Sequence, residues 1–473
     1  MALRITNTMT GQEEEFTPRG EVVKIYSCGM TPKFHPHVGH ARLFVSMDVI
    51  RRYLLYRGYK LHYVQNFTDV DDKIIARGQK EGVDPRDVAK KYTDSYFEAM
   101  DALNVMRADE YPKATQVIPQ IVRFVEKLME ERYAYDVDGN VYYQVSKFPN
   151  YGRLSKRSED EGVMAGARVE VEPGKRDPRD FALWKRAKEG EPFWESPWGP
   201  GRPGWHIECS TMIQETLGEQ IDIHAGGRDL IFPHHENEIA QSEAYCGCSP
   251  FARYWAHVGL LSIGGEKMSH SLNNFLTVQE LLQRYEAAAL RLYLISIPYR
   301  APMAYSEEGV EAAVKALARL RAALEPPAGP SAQRSARPEE LAATEKLADT
   351  AQAAFEAAMD SDFNSAQALG ALFDLARDMN RLRIQEGFPA AALQMAQKKM
   401  VDLAEVLGLK LEAVQRADAR DADPYVSLLV EIRSKLRSAR QWALADEVRD
   451  ELRTLGVTIE DRPEGSIWKY EKR

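Results

Sequence analysis

The side chains best suited to chemistry fall in a few short stretches of this chain. Ser27 to Arg42 reads S-C-G-M-T-P-K-F-H-P-H-V-G-H-A-R. His37 and His40 flank Gly39 there. The glycine lets a flat ligand approach the backbone, and two imidazoles three residues apart can both donate to a phosphate. The same pair can instead satisfy itself at a helix entry, and the four letters alone leave both readings open. Glu266-Lys267-Met268-Ser269-His270-Ser271 follows a Gly264-Gly265 turn. It places a lysine and two hydroxyls on a loop, which suits a triphosphate whose charge shifts during reaction. A third stretch runs from Asp222 through His224, Gly226, Gly227 and Asp229 to His234-His235-Glu236-Asn237-Glu238. His234 and Glu238 are four apart, so on a helix they share a face and can ligate one ion. Such a pair is also a common surface contact, but Cys28 and Cys209 have comparable claims on the same site. The Pro/Gly-dense loop from Ser196 to Gly204 should bring Trp205 and Cys209 to one place.

The elements that must position these groups can be read from periodicity. Val22–Tyr26 is β-branched and aromatic and predicts a buried strand, followed by a helix over 41–57, a strand at Lys60–Asn66 and a helical region from Asp71 to Leu103. That order begins a parallel sheet with crossover helices, an α/β fold. A strand, a Gly/Pro turn and a helix N-terminus form an anion-binding corner at His37–His40. Ligands of such sheets bind off the carboxyl ends of strands, where Thr68 and Asp69 fall, although Asp69, Asp71 and Asp72 also suit a helix N-cap. A further strand, Val258–Ile263, leads to the lysine loop.

These elements divide the chain into a first half of a sheet domain at 1–115, an inserted subdomain at 116–200, a second half at 201–257 and a loop-bearing junction at 258–324. The insert should hold a helix at Ile118–Glu131 and strands at Val141–Val145 and Ala167–Val171, and 298–324 reads as helical. A Pro/Ala/Ser linker follows, then an Ala-rich helical bundle at 339–415 and a small α+β unit at 424–473.

Composition narrows the class. A chain of 473 residues accommodates about three domains, and 44% hydrophobic with 28% charged residues is the content of a soluble globular protein. No run approaches the ~18 apolar residues of a membrane span, so a cytoplasmic location without membrane contact is expected. The net charge of −9 argues against blanket adhesion to nucleic acid and leaves room for a local basic face. The four cysteines are too few and too unevenly placed for a disulfide framework. Cys246 and Cys248 are expected as structural thiols.

Taken together, H-V-G-H and K-M-S-H-S resemble the "HIGH" and "KMSKS" signatures of class I aminoacyl-tRNA synthetases, in the expected order. F-T-D-V-D-D-K-I-I-A-R-G (67–78) is similar, nearly letter for letter, to a segment of the cysteinyl-tRNA synthetase family. Leu290-Arg291 and Ser361-Asp362-Phe363-Asn364 resemble the helical domain that follows the catalytic domain in cysteinyl and arginyl synthetases. The resemblance implies a Rossmann-like catalytic domain that ligates L-cysteine to tRNA(Cys) through an adenylate, with ATP and Mg2+. It implies one Zn2+ per chain held by Cys28, Cys209, His234 and Glu238, and contacts to cysteine from Thr68, Trp205 and His224. Under it, His37, His40, Lys267 and His270 serve the phosphates, with Gly39, Gly226, Gly227, Asp229 and Ser269 completing the ATP site. Residues 424–473 then form an anticodon-binding module with Trp468 available for base stacking, and the chain is expected as a monomer. Two departures stand out. His270 replaces the second lysine of the loop signature, and Gly29–Phe34 is similar to the amino-sugar cysteine ligase of mycothiol synthesis, which keeps that enzyme as an alternative. The other alternative is a non-catalytic, zinc-stabilised RNA-binding protein.

Overall fold

A computed structural model describes the chain except for residues 1, 157–173, 265, 268–274, 328–333, 386, 412–418, 440, 456, 463–464 and 471–473. It divides into two compact units, Met1–Leu411 and Glu412–Arg473.

The first unit opens with a hairpin, β1 (Arg4–Asn7) and β2 (Gln12–Glu15). Next come β3 (Val22–Met30), α1 (Val38–Tyr56), β4 (Lys60–Phe67), α2 (Asp72–Glu81) and α3 (Pro85–Ala102). The helical region expected from Asp71 to Leu103 breaks at Gly82, whose φ of 69° caps α2 in the left-handed region that glycine favours. The expected insert holds α4 (Ile118–Glu130) and the antiparallel strands β5 (Ala134–Val137), β6 (Asn140–Tyr143) and β7 (Phe181–Arg186), and their sheet, in the order β5-β6-β7-β8, gains a fourth strand, β8 (Gly201–Pro203), from just beyond residue 200. The strand expected at Ala167–Val171 lies outside the described residues.

The chain then returns to the main sheet through α5 (Trp205–Thr216), β9 (Ile221–Gly227), α6 (Glu236–Cys246) and β10 (Ala252–Val258). The order β10-β9-β3-β4 is parallel throughout, the doubly covered arrangement in which strands are buried nearly end to end. β3 runs past the expected Tyr26 to Met30, with an irregularity between Ser27 and Met30. Gly29 explains the close passage: a Cβ there would lie 1.6 Å from the Asn66 carbonyl oxygen. Cys28 therefore sits on the strand's carboxyl end instead of in the turn.

The expected strand Val258–Ile263 is two, β10 and then β11 (Leu261–Ile263), which pairs with β12 (Glu266–Lys267). After α7 (Val278–Arg284) and α8 (Ala287–Ile295), the span read as helical from 298 instead contains β13 (Met303–Tyr305) before α9 (Glu307–Ala322). The bundle is α10 (Pro338–Asp360), α11 (Ser365–Arg383) and α12 (Ala390–Val406), with Leu369, Leu372, Leu375, Leu403 and Leu407 buried as the apolar stripes require.

Two buried arginines tie these parts to α1. Arg42 donates to the carbonyls of Leu294 (3.1 Å), Pro298 (3.2 Å) and Ala301 (2.7 Å) and contacts Met303 Sδ at 2.9 Å. Arg291 pairs with Asp48 and donates to the carbonyls of Leu103 (2.9 Å), Asn104 (3.1 Å) and Leu407 (2.8 Å).

The second unit contains α13 (Ala419–Ser438), α14 (Trp442–Thr454) and an antiparallel hairpin of β14 (Val457–Arg462) and β15 (Gly465–Tyr470). Val426, Val430, Leu452 and Val457 form its core, and Trp468 packs against them with its indole N–H 3.2 Å from Ser427 Oγ. The aromatic expected as available for base stacking thus packs on this core while staying partly exposed. Among the described residues, no helix is long and apolar enough to cross a membrane.

Candidate active site and metal centre

A cavity of about 450 Å³ opens at the carboxyl end of the parallel sheet, where folds of this kind bind ligands. Its wall brings together Cys28, His37, Gly39, His40, Thr68, Trp205, Cys209, Gly227, Asp229 and His234, residues from four separate stretches of sequence.

At one end lie the thiols. Cys28 Sγ is 3.8 Å from Cys209 Sγ and 3.7 Å from Glu238 Oε1, and His234 Nε2 is 3.0 Å from that same oxygen. Two sets place all their ligand atoms within 4.8 Å of one another: Cys28, Cys209, His234 and Glu238, and Cys28, His224, His235 and Glu238. The first is the favoured centre, because three of its members face the cavity, leaving access for an exchangeable ligand. The donor chemistry fits a thiophilic divalent cation. Burial pushes the Cys28 thiol well above its ordinary pKa, and Cys209 and Glu238 add to the shift. A bound cation relieves that crowding of acidic groups. Burial lowers His234 to about 3, keeping it in the neutral form that ligates. Its Nδ1 meets His206 Nδ1 at 2.9 Å, and its ring stacks on Trp205 with centroids 4.4 Å apart.

His235 was not singled out by the sequence reading. Its Nε2 lies 3.3 Å from Cys28 Sγ and its Nδ1 2.8 Å from His257 Nε2. The His-His doublet at 234–235 was the available signal, since i+3 and i+4 spacings to Glu238 both face inward. The segment Ile231–His235 is an irregular turn, with α6 starting only at Glu236.

Two expected contacts take other positions. His224 is fully buried behind the cluster, bonded to Glu238 Oε2 at 2.8 Å and stacked on Trp255. Gly226 faces His235, where a Cβ would come within 2.7 Å of the ring, and so makes room for that histidine. Cys246 and Cys248, expected as thiols, are joined in a disulfide across Gly247, which removes them as rival metal ligands.

At the other end, His37 caps α1. Its Nδ1 accepts the His40 N–H at 3.2 Å, His40 Nδ1 accepts the His37 N–H at 3.4 Å, and the rings stack 3.7 Å apart. The pair therefore satisfies itself at the helix entry: the backbone occupies each Nδ1, which leaves the proton of each neutral ring on Nε2. Burial, aided by Lys33, lowers His40 to about 4, so the ring is a neutral donor near pH 7. Thr68 shares a hydrogen bond with the buried Glu208, and Asp69 accepts from Thr115 N (3.0 Å) and Oγ1 (2.6 Å). Lys267 lies on β12 opposite Ser262. Ser269 and His270 fall outside the described residues.

A parallel sheet with this strand order and a cavity at its carboxyl end has the architecture of a class I tRNA synthetase. The family model described as "tRNA synthetases class I (C) catalytic domain" matches residues 15–315, and a DALR domain model matches 354–412. Among solved structures, a Mycobacterium tuberculosis methionyl-tRNA synthetase in complex with methionyl-adenylate aligns over 82% of this chain and 90% of its own, with a TM-score of 0.57 and 17% identity. That likeness concerns the fold alone. Curated relatives named Cysteine--tRNA ligase are far nearer in sequence. That of Dehalococcoides mccartyi is 49% identical, covering 99% of this chain and 100% of the relative, and that of Thermococcus gammatolerans is 49% identical, covering 99% of each. The chain belongs to the cysteine–tRNA ligase family of enzymes.

Proposed function

We propose that this enzyme joins L-cysteine to tRNA(Cys) in two steps, forming a cysteinyl-adenylate from ATP and then passing the cysteinyl group to a ribose hydroxyl at the tRNA end. The observation that carries the proposal is the single cavity with a thiol-rich ligand set at one end and a helix N-terminus with two imidazole donors at the other. The amino acid's sulfur and its reacting carboxylate need those two environments side by side.

Cys28, Cys209, His234 and Glu238 would hold Zn2+, which supplies a borderline-soft ion that favours a thiolate over an alcohol. Selection against serine needs such a chemical test, because a pocket relying on shape rejects near-isosteres by only about 10². Thr68 and Trp205 orient the bound amino acid, with the indole closing that end of the cavity over His234. His37 and His40 donate their Nε2–H groups to the phosphates of ATP, supported by the partial positive charge of the α1 N-terminus. Gly39 and Gly227 let the nucleotide approach the backbone, and Asp229 takes its polar edge. Lys267, on the β11–β12 hairpin, adds a cation, and Mg2+ accompanies the ATP. The second unit serves tRNA, a role that full-length coverage of the curated relatives supports over the amino-sugar alternative.

The test is cysteine-dependent pyrophosphate exchange on metal-replete protein, with serine as competitor. One zinc per chain by elemental analysis is expected, together with loss of the cysteine preference after chelation and its return on zinc addition. Full preference in zinc-free protein would overturn the reading.

A further inference from the structure

Among the described residues that line the cavity, Lys33 is the sole lysine or arginine, and Asp229 is the sole carboxylate. Lys33 belongs to the turn between β3 and α1, where its N–H donates to the Thr31 carbonyl at 2.9 Å. Its side chain is half-buried. Burial and the neighbouring Lys73 ammonium hold its pKa below the ordinary lysine value, with Asp71 opposing them. Asp71 Oδ1 is meanwhile engaged by the Lys73 backbone N–H at 2.8 Å as the N-cap of α2. None of the ion pairs among the described residues gives Lys33 a carboxylate partner at salt-bridge distance. The ammonium is also close enough to His40 to help keep that imidazole neutral. An ammonium lining the cavity near an imidazole, with a second, exposed lysine behind it, forms a positive spot that an anion carrying more than one charge stabilises.

We infer that Lys33 is a phosphate ligand for the nucleotide, supplying a cation from the strand-to-helix turn at the His37–His40 end of the cavity. The inference rests on the cavity being the site of ATP-dependent adenylation.

The test uses full-length, zinc-replete enzyme and cysteine-dependent pyrophosphate exchange, with kcat and KM measured separately for ATP and cysteine. Lys33→Met should lower kcat/KM for ATP by about tenfold or more, the scale of one charge-assisted hydrogen bond. KM for cysteine should stay within about twofold, and Lys33→Arg should keep most of the activity because it retains the charge. Unchanged ATP kinetics in Lys33→Met, equal losses toward ATP and cysteine, or a Lys33→Arg variant as impaired as Lys33→Met would each overturn the assignment. If Lys33→Met folds poorly, with a lowered Tm, Lys33→Gln and Lys33→Arg provide the same comparison. Absence of exchange in the parent enzyme would instead overturn the reading of the site, an outcome distinct from a failure at Lys33 alone.

Discussion

Replacing Asp48 by Asn should destabilise the first unit strongly, and more so at neutral pH than in acid. Asp48 is fully buried on α1. It pairs with Arg291, accepts from Arg52 Nε at 2.7 Å and accepts the Met106 N–H at 2.8 Å. Asparagine preserves the shape but removes the only carboxylate among the groups named around Arg291, leaving its guanidinium to the carbonyls of Leu103, Asn104 and Leu407. Breaking a buried pair by neutralising one partner costs about 3–5 kcal/mol. In a unit of this size that corresponds to a fall in Tm of roughly 3–10 °C. Burial alone would raise the Asp48 pKa, but Arg291, Arg52 and the Met106 N–H together hold it below the ordinary carboxylate value. A depressed pKa contributes stability that is present above the unfolded-state value and lost as pH falls through the folded one. The difference between parent and Asp48→Asn should therefore be largest near pH 7 and shrink toward acid. Scanning calorimetry of both proteins from pH 7 down to about pH 2 measures it, because the folded-state value lies below the ordinary carboxylate value and the loss falls at the acid end of that range. A variant within 1 °C of the parent at pH 7 would mean that carbonyl dipoles alone hold Arg291, and the reasoning would fail.

Two further outcomes follow from the site and from the division into units. Gly226→Ala places a methyl group against the buried His235 ring and should cost about 1–3 kcal/mol of stability by overpacking, with zinc content falling below one per chain. Normal zinc content and an unshifted melting curve would remove Gly226 from the support of the cluster. Deleting residues 412–473 removes one compact unit. Pyrophosphate exchange should survive while tRNA charging falls by about tenfold or more, and intact charging would show that the tail does not read tRNA.

The chemistry was more legible in the sequence than the supporting geometry. The i, i+4 spacing of His234 and Glu238, with two cysteines near other motif residues, points to a common site because the helical period constrains which side chains meet. Sequence could not rank His234 against His235, since the choice depends on an irregular turn before Glu236 and on His257 arriving from a neighbouring strand. His224 was a substrate contact only by the family resemblance, which carries no side-chain direction, and strand alternation turns it behind the cluster. The extension of β3 to Met30 was hidden because glycine usually marks a turn, whereas here it permits close passage beside Asn66. The Cys246–Cys248 bond was missed because four scattered cysteines suggest no framework, and a bridge across one residue needs only local geometry. Trp468 could be read either as a base-stacking aromatic or as a packed terminal side chain, and the residues it packs against belong to the hydrophobic core of a small unit that sequence alone does not assemble.

Arg42 sets a schedule for synthesis. Its acceptors and contacts lie 217 to 261 residues downstream of it. While α1 emerges from the ribosome, that guanidinium has none of the carbonyls that will later receive it, and the helix that begins with His37 and His40 stays unanchored on one side. That corner gains the last of these contacts only after translation has passed Met303, well beyond the midpoint of the chain. Contacts so distant in sequence form late, because the loop that joins them must close before they are gained.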